Sequence, residues 1–219
     1  MGFAAFCAIH GKTYRSDPSY VAEAPAAPGR PLGVRDGEID PATRERWCLY
    51  CEHWQPLRAK HCDQCGKCVR KFDHHCFWVG TCVGQGNHPR FYLLLVVDTV
   101  FVSLALFAQV EGLDVATQPQ SWVMLTMGLA CFAATMLAML LGLLTFHTYL
   151  VLAGTTTWEV VSGQSITYLK GRGQSRFNRG VTQNLRSFLS PPFDWADDGG
   201  VTLLDSEMGA RTDDRTELL

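Results

Sequence analysis

Two long apolar segments dominate the pattern of hydrophobic and polar positions in this 219-residue chain. Residues 91–110 carry one charge, Asp98, and in residues 122–152 the one group that titrates near neutral pH is His147. Because about 20 apolar residues are enough for a helix to cross the hydrocarbon core of a bilayer, both segments predict transmembrane helices. The alternative is a pair of buried helices in a soluble domain, although uncharged runs of this length rarely occur in soluble cores.

The charges that flank the two runs predict their orientation. The connection at residues 111–121 has two acids and no Lys or Arg. Basic residues lie on the outer flanks instead, namely Arg44, Arg46, Arg58, Lys60, Lys67, Arg70 and Lys71 before the first run and Lys170, Arg172, Arg176, Arg179 and Arg186 after the second. By the positive-inside rule both flanks face the cytosol. The formal net charge of −2 conceals this segregation.

The polar remainder of the chain is less regular. Five prolines in residues 11–46 predict an extended linker. After the second run, apolar residues recur at near-helical spacing and predict an amphipathic segment on the membrane surface, with an ordinary packed surface helix as the alternative; they are Phe177, Val181, Leu185, Phe188 and Leu189. Residues 194–219 hold eight acids and two arginines, and predict a disordered tail.

Cysteine and histidine are concentrated between Cys48 and Asn87, in the pattern C-x2-C-x9-H-C-x2-C-x2-C-x4-D-H-H-C-x5-C-x4-N. Six thiolates and two imidazoles are enough for two zinc ions of Cys3His type; they are Cys48, Cys51, Cys62, Cys65, Cys68, Cys82, His61 and His75. A reducing cytosol favours such ligation over disulfides. Spacing alone does not say which four residues share each ion. Closely spaced ligands and glycines predict short β-hairpins held by metal.

Three chemically versatile residues remain in the window after this assignment: Asp73, His74 and Cys76. A thiol with a neighbouring imidazole and a carboxylate is the nucleophile, base and orienting acid of nucleophilic thiol chemistry. The competing interpretations make Cys76 a metal ligand, with another cysteine free, or make His74 a packing residue.

The window resembles the DHHC cysteine-rich domain of protein S-acyltransferases (palmitoyltransferases) at every ligand position and at Asp73-His74-His75-Cys76. Residues 156–159 (TTWE) resemble the TTxE motif of that family, and residues 177–185 resemble its C-terminal aromatic-and-asparagine motif. The likeness spans residues 40–190. It implies an α-helical multi-pass membrane protein with an inserted cytosolic zinc-binding cysteine-rich domain of short β-hairpins.

The resemblance also implies roles for individual residues. Cys48, Cys51, His61 and Cys68 would bind one structural zinc ion, and Cys62, Cys65, His75 and Cys82 the other. Cys76 would be the nucleophile, with His74 as its base and Asp73 orienting that imidazole. Supporting roles fall to Trp78, Asn87, Thr156, Thr157, Glu159 and Asn184. Family members usually have proline between the nucleophile and the tryptophan, where this chain has Phe77.

The implied reaction moves a fatty acyl (palmitoyl) group from acyl-CoA to substrate cysteines through a Cys76 acyl-enzyme. The expected partners are the membrane, palmitoyl-CoA and protein substrates with membrane-proximal cysteines, with no nucleic acid. Basic residues near the window are candidate contacts for CoA phosphates, or else a solvated face. The Golgi or endoplasmic reticulum is the expected location.

Family members generally have two membrane spans before the cysteine-rich domain. Residues 1–10 are too short to span and lack the basic start of a signal peptide, so they are interpreted as the end of a truncated transmembrane helix. The predicted order is then stub 1–10, linker 11–46, DHHC zinc domain 47–90, helix 91–110, non-cytosolic loop 111–121, helix 122–152, cytosolic segment 153–193 and tail 194–219. The alternative functions are an inactive or regulatory fragment of such an enzyme, or a zinc-stabilised membrane adaptor.

Overall fold

The computed structural model describes residues 2–22, 33–40, 43, 45–169 and 177–190. Its helices are α1 (Gly2–Thr13), α2 (His88–Glu111), α3 (Gln120–Ala153), α4 (Thr157–Ser162) and α5 (Val181–Leu189). Its strands are β1 (Arg46–Cys48), β2 (His53–Gln55), β3 (Lys60–Cys62), β4 (Lys67–Val69), β5 (His74–Cys76) and β6 (Thr81–Val83). The predicted tail at 194–219 lies outside the described residues.

The cysteine window folds into three antiparallel two-stranded hairpins, β1–β2, β3–β4 and β5–β6. This confirms the prediction of short β-hairpins. Gly66 and Gly80 both have φ +64 in the turns of the second and third hairpins, a conformation that glycine adopts without strain. One buried apolar cluster among the described residues of this region comprises Cys62, Val69, Phe72 and Cys82, with Tyr20, Cys65 and Trp158 packed against it. Because three hairpins of three-residue strands bury little apolar surface, we expect metal binding by their Cys and His side chains to contribute to their stability.

The chain forms two compact units, one of Met1–Ser16 with Pro89–Tyr149 and the other of Asp17–His88 with Leu150–Leu219. Within the described residues, α2 and α3 are the two helices that are long and apolar enough to cross a membrane, with mean hydropathies of 2.3 and 2.2. Both expose large apolar side chains along their length, including Leu104, Phe107 and Phe132. The prediction of two long apolar helices is confirmed. These exposed side chains are apolar, as expected for a surface in contact with lipid.

In the first unit, α1 supplies a partner for the charge in the middle of α2. His10 Nε2 lies 2.8 Å from Asp98 Oδ1. One helical turn away, the rings of Phe6 and Phe101 stack with their centroids 4.6 Å apart. A carboxylate in an apolar helix is costly unless it is paired, so this contact explains how α2 accommodates Asp98.

In the second unit, part of the region predicted as a linker packs against the hairpins. Val21 N donates to Cys68 O at 2.8 Å, and Arg70 N donates to Ser19 O at 2.9 Å, so residues 19–21 run along β4. A Cβ at Gly84 would lie 2.5 Å from Val69 Cγ1 and 2.6 Å from Pro18 O. Glycine therefore permits the close approach of this segment to the chain that follows β6.

Candidate active site and metal centres

The side-chain alternation of β5 divides the Asp-His-His-Cys sequence into two faces. In the β5–β6 ladder His74 pairs with Val83, His75 with Cys82 and Cys76 with Thr81. Because successive residues of a strand point to opposite faces, His74 and Cys76 share one face while His75 lies on the other. Cys82, directly opposite His75, points to the same face as His75. The residues predicted for thiol chemistry are thus separated from those predicted for metal binding.

The first set of potential metal ligands comprises Cys48, Cys51, His61 and Cys68, whose ligand atoms all lie within 4.8 Å of one another. His61 and Cys68 are cross-strand neighbours in the β3–β4 ladder. The two cysteines of the C-x2-C pair come from the end of β1 and the turn after it. Cys51 Sγ lies 3.2 Å from His61 Nδ1.

The second set comprises Cys62, Cys65, His75 and Cys82, again within 4.8 Å of one another. His75 Nδ1 lies 3.5, 3.4 and 3.5 Å from the sulfurs of Cys62, Cys65 and Cys82. Tetrahedral zinc with Zn–S of about 2.3 Å and Zn–N of about 2.05 Å requires N–S separations of about 3.6 Å. The donor set and its dimensions therefore fit zinc. A zinc ion held by four side chains has no open coordination position, so its contribution is structural.

On the opposite face of β5, Asp73 and His74 form a tight hydrogen-bonded pair. His74 Nδ1 donates to Asp73 Oδ2 at 2.7 Å. The imidazole of His74 is also a hydrogen-bond partner of the Cys76 thiol. Because Nδ1 is engaged by the carboxylate, Nε2 is the nitrogen that remains for the sulfur. Asp73 and Cys76 are buried, at 1% and 7% exposure, whereas the side chain of His74 between them is 28% exposed.

The pKa directions in this set follow from the same contacts. Burial alone would raise the pKa of Asp73, but the hydrogen bond from His74 and the nearby imidazole of His88 hold it far below its usual range. Burial alone would lower the pKa of His74, whereas its bonds to Asp73 and Cys76 raise it to about 9. Burial alone would raise the pKa of Cys76, and the bond to His74 lowers it below the ordinary thiol value. These directions favour a thiolate beside an imidazolium.

The TTxE-like sequence forms the start of α4 and contacts Asp73 directly. Thr157 N donates to Asp73 Oδ1 at 2.8 Å, and Thr157 Oγ1 donates to Asp73 Oδ2 at 2.7 Å. Thr156 is the N-cap of α4, and its hydroxyl accepts from Glu159 N while the Glu159 carboxylate accepts from Thr156 N. This is a capping box, which satisfies two backbone donors at the start of a helix. The motif thus forms the start of a short helix whose first residue, Thr157, donates two hydrogen bonds to the Asp73 carboxylate.

A buried ion pair between Arg58 and Glu159 joins α4 to the hairpins. Arg58 donates from Nε to Glu159 Oε1 at 2.7 Å and from Nη2 to Oε2 at 2.6 Å. Tyr168 and Thr155 donate to the same carboxylate at 3.2 Å each. In the sequence, Arg58 is one of several basic residues on the flank predicted to be cytosolic. Its partner is 101 positions away, so no local pattern identifies the pair.

Asn184 connects α5 to the end of α3. Its Nδ2 donates to Leu152 O at 2.7 Å, and its Oδ1 accepts from Arg179 N at 3.1 Å. At the same place α3 ends in a Schellman motif, with Thr155 N donating to Leu150 O and Gly154 N to Val151 O. Gly154 has φ +68, and a Cβ there would lie 2.9 Å from Asn184 Oδ1.

The other two supporting residues lie at the two ends of β6. Asn87 is buried, accepting from Gly84 N and donating to Cys82 O at 2.9 Å each, so it closes the turn between β6 and α2. Trp78 and Phe77 lie in the β5–β6 turn and are 82% and 85% exposed, with ring centroids 5.9 Å apart. The hairpin therefore presents two large aromatic side chains directly after Cys76.

Comparison with known proteins agrees with this geometry. The family model for DHHC palmitoyltransferases matches residues 42–164. Human palmitoyltransferase ZDHHC12 is 40% identical over 178 residues, covering 79% of this chain and 66% of that protein. Arabidopsis thaliana protein S-acyltransferase 10 is 36% identical over 170 residues, covering 75% of this chain and 50% of that protein. Human palmitoyltransferase ZDHHC8 is 36% identical over 156 residues, covering 68% of this chain and 19% of that protein.

The chain spans between 19% and 66% of the length of these three relatives. Within the matched region lie both Cys3His sets, the Asp73-His74-Cys76 face of β5 and the first turn of α4. On the match to the family model and the identity to these relatives, the chain belongs to the DHHC palmitoyltransferase family.

Proposed function

We propose that this chain is a protein S-acyltransferase, which moves a fatty acyl group from acyl-CoA to a cysteine of a protein substrate. The observation that carries the proposal is the buried thiol of Cys76, which is hydrogen-bonded to the imidazole of His74. That imidazole is in turn hydrogen-bonded to the buried carboxylate of Asp73. This arrangement supports covalent catalysis by a thiol, in which one transfer is divided into two steps through an acyl-enzyme.

In the first step the Cys76 sulfur attacks the thioester carbonyl of acyl-CoA. A bond forms from this sulfur to the acyl carbon, the bond from that carbon to the sulfur of CoA breaks, and CoA leaves as its thiol with the proton that His74 has taken from Cys76. Asp73 orients His74 for this transfer, and Thr157 holds Asp73 in turn. In the second step the sulfur of the substrate cysteine attacks the Cys76 thioester and forms a bond to the acyl carbon. The bond from that carbon to the Cys76 sulfur breaks, and His74 accepts the proton of the substrate thiol as Cys76 leaves as its thiolate.

Palmitoyl-CoA and proteins with membrane-proximal cysteines are the proposed substrates. The roles proposed for the two Cys3His sets are structural. Cys48, Cys51, His61 and Cys68 would hold one zinc ion, and Cys62, Cys65, His75 and Cys82 the other. Bound there, zinc would fix the β3–β4 and β5–β6 ladders and therefore the face that carries His74 and Cys76.

We further propose that α2 and α3 cross a membrane of the Golgi or endoplasmic reticulum, with the hairpins, α4 and α5 on the cytosolic side. The length and hydropathy of both helices support this topology, and so does the absence of Lys and Arg between them at residues 111–121.

In the second unit, α5 contacts both the beginning of α2 and the end of α3. His88 packs edge-on against Phe188 at 5.2 Å, and Asn184 bonds to Leu152 O. Val181, Leu185 and Leu189 remain exposed on this helix at four-residue spacing. An exposed apolar stripe held at the ends of two spans supports a helix that lies in the membrane interface.

A direct test is labelling of the detergent-purified protein with a clickable palmitoyl-CoA analogue. We expect hydroxylamine-sensitive label on the wild-type chain and none on Cys76→Ser, with the zinc content unchanged. Cys7→Ser and Cys131→Ser are matched controls, because both thiols are exposed and lie outside the hairpins. Loss of about one zinc ion per chain in Cys76→Ser would instead make Cys76 a ligand. Absence of label on a fully zinc-loaded wild-type chain would favour the adaptor or fragment interpretation.

A further inference from the structure

A second histidine, which is buried, lies near the carboxylate of Asp73. His88, the first residue of α2, is 5% exposed. One of its ring nitrogens lies within 4.8 Å of an Asp73 carboxylate oxygen. Both residues belong to the second compact unit. The acyl-transfer steps described above assign no role to this imidazole.

The hydrogen bonds that Asp73 accepts do not fill all the acceptor positions of its carboxylate. Its Oδ2 accepts from His74 Nδ1 and Thr157 Oγ1, and its Oδ1 accepts from Thr157 N. A carboxylate offers about four acceptor positions, so one position on Oδ1 is left after these three bonds. A buried carboxylate gains from every donor or positive group around it, because water cannot take their place.

The backbone around His88 fixes where this imidazole lies. His88 N donates to Gly84 O at 2.9 Å, and Asn87 closes the same turn onto Cys82 O. The turn follows Val83, whose carbonyl accepts from Asp73 N at 3.0 Å and which pairs with His74 in the β5–β6 ladder. The His88 ring also packs edge-on against Phe188. The imidazole and the carboxylate are therefore held by one short, hydrogen-bonded stretch of chain.

We propose that His88 is a positioning residue for acyl transfer, which acts through Asp73 to fix the orientation of the His74 imidazole toward Cys76. The proposal rests on the proposed S-acyltransferase function. His88 stabilises one orientation of the carboxylate in addition to the bonds that His74 and Thr157 make to it. Without it the carboxylate has fewer constraints, and the His74 ring spends less time in the geometry that reaches the sulfur.

The test is the single-turnover rate of Cys76 acylation as a function of acyl-CoA concentration in zinc-loaded protein. For His88→Phe, which keeps a ring of similar size against Phe188, we expect the maximal rate to fall roughly tenfold, a typical effect of losing one interaction with a charged group. The half-saturating acyl-CoA concentration should stay unchanged. His88→Gln, which restores a donor, should recover most of the rate.

Two controls separate positioning from packing. His53→Phe replaces another histidine that is 5% exposed in the same unit, and it should leave the rate unchanged. Phe188→Leu removes the edge contact but keeps the imidazole, and should cost much less than His88→Phe. A His88→Phe rate equal to wild type would overturn the proposal, and so would equal losses in His88→Phe and Phe188→Leu.

A measurement without acyl-CoA keeps this inference separate from the proposed function. In histidine-labelled protein, the proton on His74 Nδ1 should give a downfield NMR signal, because it lies in a 2.7 Å bond to a carboxylate. We expect His88→Phe to weaken or broaden this signal while His53→Phe leaves it unchanged. An unchanged signal in His88→Phe would refute positioning even if the wild-type chain were inactive. A wild-type chain that shows the signal but takes no label would refute the acyltransferase proposal alone.

Discussion

Replacing Arg58 by Met should destabilise the second compact unit strongly, because it leaves the carboxylate of Glu159 buried without its cation. The two side chains are 7% and 2% exposed, and Arg58 donates two short hydrogen bonds to the carboxylate. Removing one partner of such a pair typically costs 3–5 kcal/mol, since the desolvated charge of the other remains. Methionine preserves much of the side-chain volume, so the effect should come mainly from the lost charge and donors.

The magnitude is expected near the lower end of that range. In Arg58→Met, Glu159 keeps its bonds from Tyr168, Thr155 and the backbone N–H of Thr156. Gly154 O loses its bond from Arg58 Nη2, which is 3.1 Å long. We therefore expect a loss of about 3 kcal/mol, which corresponds to a fall in Tm of about 6–12 °C for a chain of this size.

The assay is thermal unfolding of zinc-loaded protein in detergent, followed by tryptophan fluorescence. Arg186→Met is the matched control, because Arg186 is an exposed arginine on α5 in the same unit. Arg58→Lys keeps the charge but loses the bidentate hydrogen bonding to the Glu159 carboxylate, so its Tm should lie between those of wild type and Arg58→Met. In the double variant Arg58→Met/Glu159→Gln the buried charge is gone, and part of the Tm should return.

Two results would refute this reasoning. An Arg58→Met chain that melts within a degree or two of Arg186→Met would show that the pair adds nothing to stability. A double variant less stable than Arg58→Met would show that the stranded carboxylate is not the source of the loss.

Three further predictions concern the helix junction, the metal centres and the base. Gly154→Ala should lower the free energy of unfolding by at least about 1 kcal/mol in the same assay, because φ is +68 and the new Cβ would meet Asn184 Oδ1. Gly128→Ala, in open space on α3, should not lower it. Equal Tm values for the two variants would contradict this prediction. Removal of zinc by a chelator should unfold the three hairpins while the far-UV helical signal of α2 and α3 persists, and hairpin amide protection that survives complete zinc loss would disprove the dependence on metal. His74→Ala should slow Cys76 acylation by about 10²–10⁴ and recover in part above pH 8.5, where the free thiol ionises, and a wild-type rate at pH 7 would remove His74 from the mechanism.

The hairpins, the two apolar helices and the family could be predicted from the sequence, because each depends on local spacing or on a continuous apolar run. The grouping of the metal ligands could not be predicted from spacing, and the resemblance alone supplied it. The reason is physical: His61 and Cys68 come together through the register of β3 with β4, and ligand spacing along a chain does not encode strand register.

Two residues that the sequence left without a role, Arg58 and His10, have partners far away along the chain. Arg58 binds Glu159 across 101 positions, and His10 binds Asp98 across 88 positions. His88 follows Asp73 by only fifteen positions, but the turn that brings them together depends on Asn87. On α5 the apolar periodicity predicts the helix, but it does not predict that Phe188 is buried while Val181 and Leu189 are exposed.

The alternation along β5 has a consequence for how the length of this segment can vary. Neighbouring positions serve opposite faces, so inserting one residue between Asp73 and His75 would turn His75 and Cys76 to the faces opposite to those they occupy now. The thiol would then face the sulfurs of the second Cys3His set, and His75 would face the carboxylate of Asp73. A substitution in this strand changes one of the two sets of side chains, whereas a one-residue change in its length would disturb both. We therefore expect insertion scanning to find β5 intolerant of a one-residue change in length.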